Sequence, residues 1–408
     1  MLFYLRIALR NLRKNSRRSI KTILTIVIGL GACLLAQGFI AHTLWGLRES
    51  LINGGTGHLQ IYRQGHLEHG IEQPYRYRIT AHRRVIAALK GVPGIERVAP
   101  RLAFQGIATA GEKSAVFSGM AGLAREERLL NSFSTLARGR FLDERNPLGV
   151  VIGSGLARRL GVDVGDPITI MSTLESGVLN ALDLEVAGVI QAQIKAYDDA
   201  ALIADLTTVQ RFLDQPGAVD RIIVLLQNTG DLERVAPAVE RIGHRLGLEW
   251  RDWRALTGKQ YTQPKIFYKL VYVLIMTVII LVVVLSIANT LNLTIQERIR
   301  EIGTIRSLGT TRWQVAGIFI AESLVMGIVG GLVGIMAGYG LAALCNGLGG
   351  IPIPPPPGQA RGYTAFFRPG LWQALGLWVV FLATAMVAGA FPAYRAARLR
   401  IVEALCRA

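Results

Sequence analysis

A membrane protein with four transmembrane α-helices and one large α+β extracytoplasmic domain is the fold class this sequence predicts. Three observations carry it. Just over half of the 408 residues (51%) are hydrophobic, and the excess is gathered in four long runs. Arginine and lysine crowd the ends of those runs. Between the first two runs lies a long stretch that alternates and turns like an ordinary water-soluble domain.

The first span covers residues 22–47, with Gln37 and His42 as its strongly polar interruptions. It is too long, and its basic leader too extended, for a cleaved signal peptide. The second covers 270–294 and is dominated by Ile, Val and Leu. The third, within 314–345, carries one charge, Glu322, and the fourth, 371–394, carries none. Arg6, Arg10, Arg13, Lys14, Arg17, Arg18 and Lys21 precede the first span without an acidic residue among them. Arg298, Arg300, Arg306 and Arg312 lie between the second and third spans, and Arg395, Arg398, Arg400 and Arg407 follow the fourth. Basic flanks mark the cytoplasmic side. Both termini (1–21 and 395–408) and the 295–313 loop are therefore expected inside, and 48–269 and the 346–370 loop, with its run Pro354–Pro357, outside. A formal charge of +17 distributed in this way speaks for a membrane rather than for nucleic acid. Within 1–21, Leu2, Leu5, Ile7, Leu9 and Leu12 alternate with Arg6, Arg10 and Arg13, a basic amphipathic helix for the membrane interface.

The extracytoplasmic segment reads as strands at 57–64, 98–110, 114–120, 168–171, 184–189, 201–204 and 221–226. Helices are expected at 81–89, 156–160, 207–213 and 232–242. Turns stand at Gly111-Glu112-Lys113 and Gly165-Asp166-Pro167, and Gly161 ends a helix.

Catalytic signatures do not form. Gly258-Lys259 lacks the upstream glycine and the following Ser or Thr of a phosphate-binding loop, and Ser154 has Ile152 where a nucleophile elbow needs glycine. His58, His66 and His69 have no ligand-like spacing and read as solvated side chains on a strand and its turn. Cys33, Cys345 and Cys406 are too scattered for a disulfide or a metal. No catalytic residue, cofactor site or metal site is expected in this chain.

The most informative stretch runs from Asn289 to Arg312. Residues 297–308 read as a short amphipathic helix: Ile295, Ile299, Ile302 and Ile305 fall three or four apart, on one face. Glu297 stands at helical pairing distance from Arg300 and Glu301, and Gly309 terminates the helix. Glycines follow at 327, 330, 331, 334 and 338; those at 330, 334 and 338 are in four-residue register, which lets another helix come close. Glu322 has two readings, a structural pairing with an arginine of the short helix or of the tail, and a direct part in transport.

The pattern Glu297-Arg298-x-x-Glu301-Ile302-Gly303-x-x-Arg306-x-Leu308-Gly309, with the acidic, glycine-rich helix after it, resembles the MacB/FtsX-type permeases of ABC transporters, the type VII fold. The ending Phe391-Pro392-Ala393-Tyr394-Arg395-Ala396-Ala397 with Glu403-Ala404-Leu405 is similar to the same family, although Ile401 stands where the family usually has proline. Glu96–Pro100, Leu156–Asp166 and Trp250–Arg254 resemble the LolC/LolE lipoprotein-releasing permeases within it. Between Ile170 and Val186 the chain departs from those: Ser172–Asp183 replaces the longer hairpin that hooks a periplasmic carrier.

The resemblance implies a permease subunit of the bacterial inner membrane. Two permease chains, as a homodimer or heterodimer, would bind two copies of a separate ATPase, which holds the ATP and magnesium. Glu297, Arg298, Glu301, Ile302, Gly303, Ile305, Leu308 and Gly309 would couple to that ATPase, with Ile302 and Leu308 packed in its groove. Gly327, Gly330, Gly331, Gly334 and Gly338 would pack helices. The family function implied first is mechanotransmission that extracts lipoprotein or lipid toward the outer membrane. MacB-like efflux of drugs, peptides or siderophores with a periplasmic adaptor is the alternative, and FtsX-like regulation of an extracytoplasmic partner a further one.

Overall fold

In the computed structural model, residues 2–14, 16–70, 72–126, 134–192, 194–353 and 363–398 are described. The proline run 354–357, Arg361 and the tail from 399, including Ile401 and Glu403–Leu405, lie outside them. The chain forms two compact units, a helical one containing the spans and a soluble one, Gly46–Thr262.

Among the described residues, four helices are long and apolar enough to cross a membrane. They are α2 (Ser16–Leu51), α7 (Trp253–Glu297), α9 (Arg312–Gly347) and α10 (Leu371–Ala397). Each outruns its apolar stretch, because polar residues that would end a hydropathy window continue a helix without difficulty. The boundaries expected at residues 21 and 269 shift accordingly. In the leader, α1 covers Leu2–Lys14, and Arg17, Arg18 and Lys21 ride on α2. Trp253 to Lys269 is helical, the first part of α7, bent at Gly258, and its residues up to Thr262 belong to the soluble unit. Past α9, short strands Ile351–Ile353 and Tyr363–Ala365 pair with each other.

The helical unit packs around Ile26, Leu30, Cys33 and Leu34 of α2, Phe319 and Met326 of α9, and Leu377, Phe381 and Ala385 of α10. The glycines of α9 divide between two neighbours. A Cβ at Gly330 would lie 2.9 Å from Ile26, and one at Gly334 3.2 Å from Leu30. At Gly338 it would lie 2.9 Å from Leu34 and 3.4 Å from the Gly31 Cα. Those three thus form the groove that admits α2. Gly327 lies against α10, where a Cβ would sit 3.0 Å from Leu382 and 3.1 Å from Ala385, and Gly331 lies against the Trp378 indole. Contacts this close need glycine on at least one side.

The soluble unit is a mixed ten-stranded sheet with helices packed on it. Its elements are β1 (Leu59–Arg63), α3 (His82–Lys90), β2 (Ile95–Ala110), β3 (Lys113–Gly122), β4 (Thr135–Gly139), β5 (Gly149–Gly153) and α4 (Ser154–Leu160). β6 (Pro167–Thr173), β7 (Leu179–Gln191), β8 (Ala201–Asp205), α5 (Leu206–Phe212), β9 (Arg221–Leu226), α6 (Leu232–Leu246) and β10 (Leu248–Asp252) follow. The order is β10-β1-β9-β2-β3-β8-β5-β7-β4, with β6 joined to β2 and β7. β2 is long enough to serve different neighbours along its length: Ile95–Arg101 pairs β9, and Leu102–Ala110 pairs β3. The turn expected at Gly111 closes the hairpin β2–β3, and β6 and β7 form a second, with Ile168 opposite Leu184.

His58 departs from the solvated reading. It is buried, its Nδ1 accepts the Leu226 N–H at 3.1 Å, and its Nε2 lies 3.1 Å from the Thr229 hydroxyl. Since Nδ1 accepts, the proton belongs on Nε2, which donates to Thr229.

Candidate functional site between the second and third spans

α7 ends at Glu297 because Arg298 leaves helical geometry (φ −109°, ψ 16°). A new helix, α8 (Ile299–Ser307), then begins with Arg298 at its cap, and the Arg298 carbonyl accepts the Ile302 N–H at 2.9 Å. Gly309, at φ +101°, closes the far end where a side chain would be strained. Thr311 and Gln314 start α9 with reciprocal bonds of 3.4 and 2.8 Å, a capping box. Helix, short turn and helix are thereby locally defined. Glu297 accordingly belongs to α7 and not to the short helix.

The isoleucine stripe splits. Ile295, Ile299 and Ile302 are buried, and Ile302 packs in the same cluster as Val315 and Phe319 of α9. Ile302 is therefore largely covered by its own chain, and what remains of it lines the cleft beside Asn11 and Arg298 rather than the exposed edge. The outward apolar surface consists of Ile305, Leu308 (83% exposed) and, across the turn, Trp313 (80% exposed). The reason is simple: α9 follows after a short turn and folds back on α8, so the bundle claims the stripe first.

The charges hold this arrangement from three sides. Glu297 pairs with Arg18 of α2 at 2.6 Å, rather than with Arg300 or Glu301. Glu301 is shared by Lys14 of α1 (3.5 Å) and Arg298 (3.6 Å); the Lys14 and Glu301 side chains are both well exposed, so these contacts add little. The buried contact is different in kind. Asn11 of α1 donates through Nδ2 to Glu322 Oε1 at 2.7 Å and accepts from Arg298 Nη2 through Oδ1 at 3.0 Å. Arg298 Nη1 lies 3.7 Å from the same Glu322 oxygen. The Glu322 side chain is 3% exposed and the Arg298 side chain 11%. Three segments of distant sequence are tied by one amide and one ion pair, and removing any member strands the others without water. A cleft of about 430 Å³ opens beside it, lined by Ile7, Asn11, Arg298, Ile305, Thr310 and Phe319.

Arg298, Glu301, Ile302, Gly303 and Glu297 are thus gathered at one junction, while Ile305, Leu308 and Gly309 form its outer edge. Asn11 had no signal in the sequence; one polar residue in an amphipathic helix is unremarkable until its neighbours are known. Among the described residues no group of three His, Cys, Asp or Glu side chains is placed to hold a metal ion.

Four spans, with a sheet domain inserted after the first and a charged helical turn after the second, define a polytopic membrane permease architecture. Residues 19–242 match the family model of the MacB-like periplasmic core domain, and residues 273–401 match that of the FtsX-like permease C-terminal domain. The chain belongs to this MacB/FtsX family of ABC transporter permeases. It is 24% identical to an uncharacterised ABC transporter permease of Methanocaldococcus jannaschii, over 98% of this chain and 96% of that one. It is 25% identical to a macrolide export ATP-binding/permease protein MacB of Agrobacterium fabrum, over 96% of this chain but only 58% of that one. The crystal structure of the periplasmic region of MacB from Actinobacillus actinomycetemcomitans matches 52% of this chain and 95% of that region, with 15% identity and a TM-score of 0.39.

Proposed function

We propose that the chain is the non-catalytic permease subunit of an ABC transporter, moved by a separate ATPase that docks on Ile305, Leu308 and Trp313. The observation that carries this reading is the junction itself. An exposed apolar edge sits on α8, and α8 is tied through Arg298 to Asn11 of α1 and Glu322 of α9, so that a push on the edge reaches two other helices. Arg298, Asn11 and Glu322 act here as positioning residues, and Glu322 has a structural part rather than a place in a transport path. Two such chains would pair, each with its ATPase, with the junction and both termini on the cytoplasmic side of the inner membrane and the soluble domain on the other side. An impermeant thiol reagent should then label a cysteine at Glu112 in intact cells; labelling at Thr310 instead would reverse this orientation.

The cargo favoured is a lipoprotein or lipid drawn from the outer leaflet. Among the described residues, the one buried acidic side chain within the spans is Glu322, and it is already partnered, which gives no hydrophilic lining to a pore. Reconstitution with the partner ATPase and a fluorescent acylated peptide tests it: ATP should release the peptide to a soluble acceptor. ATP hydrolysis without release would exclude that cargo. Export of drugs, peptides or siderophores is the second reading, favoured by the macrolide-export name of a relative that matches 96% of this chain, across 58% of the relative. Under it, the same vesicles would move a macrolide and leave the acylated peptide in place.

A further inference from the structure

A cleft of about 850 Å³ lies in the soluble unit, over the middle of β2 and the β6–β7 hairpin. Its charges do not balance. Asp220 is fully engaged: Arg78 Nε donates to one carboxylate oxygen at 3.0 Å and the Ala103 N–H donates to the other. Both side chains of that pair are nearly inaccessible, 5% exposed for Arg78 and 8% for Asp220. Arg78 is further covered by the Tyr75 ring, 4.6 Å from its guanidinium carbon.

The next residue, Arg221, also lines the cleft and has no such partner among the described residues. Its guanidinium meets the thioether of Met120, 3.7 Å from Nη2, and its Nε is buried without a hydrogen bond. A thioether is a weak acceptor and carries no charge. Directly across the ladder from Arg221 stands Arg101, also buried. Burial first, and then the charge of Arg221, hold the Arg101 guanidinium down to about 10. Arg221 therefore brings a cation to the cleft, and among the described lining residues the one acid, Asp220, is committed to Arg78.

The remainder of the lining is amphiphilic. Gln105 and Ser118 face one another across the β2–β3 ladder, and both are exposed. Ile107, Met171 and Leu179 supply an apolar wall; Ile107 is 45% exposed and Leu179 64% exposed. We propose that this cleft binds an amphiphilic anion, its carboxylate or phosphate seated on Arg221 with Gln105 and Ser118, and its apolar body laid against Ile107, Met171 and Leu179. The guanidinium fork suits either oxyanion, and the apolar wall excludes a preference for the bare ion. This site does not depend on ATP hydrolysis or on the permease reading, since binding is read directly.

The full chain, in discs of zwitterionic lipid, is titrated calorimetrically with hexyl phosphate, inorganic phosphate and hexyl maltoside. Hexyl phosphate should bind with one-to-one stoichiometry, and the other two should bind at least about tenfold more weakly. Arg221→Gln should weaken hexyl phosphate about tenfold or more, with Arg221→Lys intermediate. Gln105→Trp, a change on the exposed floor that leaves the buried pair intact, should block the cleft to a similar extent. Arg251→Gln, on β10, should bind as the wild type does. Discs containing phosphatidic acid identify the source: competition with hexyl phosphate points to a membrane lipid, and its absence to a soluble amphiphile. Lack of saturable binding, equal binding of inorganic phosphate, or indifference to both Arg221→Gln and Gln105→Trp would overturn the proposal.

Discussion

α7 and α9 are both long, apolar and able to cross a membrane, yet the molecule treats them in opposite ways. In the most apolar window of α9, 56% of the residues are buried within the chain, against 11% in α7. α9 places glycines where two helices touch it. α7 is built of branched residues and buries one stripe, Val283, Ile287, Leu291 and Ile295, at four-residue spacing. Leu270, Leu274, Val278, Leu281 and Leu285 stay outside. In lipid, apolar surface alone does not drive packing; close approach and polar ties do. Hydropathy marks both as spans, and small-residue spacing marks which one is the hub.

The largest effect should come from the tie on α9. Glu322→Ala leaves the buried Arg298 with only the exposed Glu301 carboxylate and should cost about 3 kcal/mol, read as thermal or denaturant stability of the purified chain. The double change Glu322→Leu with Arg298→Leu should recover a good part of that loss. A double variant no better than the single would mean that the pair does not act as a unit. Next comes the groove: Gly338→Leu drives a side chain into Leu34 and Gly31, and should cost about 3 kcal/mol. A Gly338→Leu chain as stable as wild type would remove α9 from the centre of the bundle. On α7, Leu274→Ala and Val278→Ala should each change the stability of the isolated chain by less than about 0.5 kcal/mol. A loss near that of Gly338→Leu would abolish the contrast between the helices.

Acidification should soften the soluble unit. Burial, the largest influence, lowers the pKa of His58 below its ordinary 6.5. The unfolded chain then binds the proton more readily than the folded one, so this contribution is present above pH 6.5 and fades as pH falls below it. His58→Gln should flatten that decline in a melting series; an unchanged decline would assign it elsewhere.

The spans and the long strands were legible because their signals are local. β5 was not, since Gly149–Gly153 is buried on both faces and shows no alternation. β4 and β10 are five-residue strands at the two ends of the sheet order, with mostly polar or partly exposed faces, and alternation says little there. Arg298 and Glu322 were visible as charges. Their tie through Asn11 was not, because it joins positions 11, 298 and 322. Periodicity also found the stripe on α8 without telling which partner it meets, and Ile302 belongs to the chain's own core.

The inner and outer faces of α8 can therefore be tested apart. The chain and its partner ATPase are co-purified, and stimulated ATP hydrolysis is compared for wild type and Leu308→Asp, with the melting temperature of the chain measured alongside. Leu308 is 83% exposed, so the chain should melt as before while stimulation and co-purification are lost. Full stimulation by a stable Leu308→Asp chain would show that the outer edge of α8 is not where the ATPase acts.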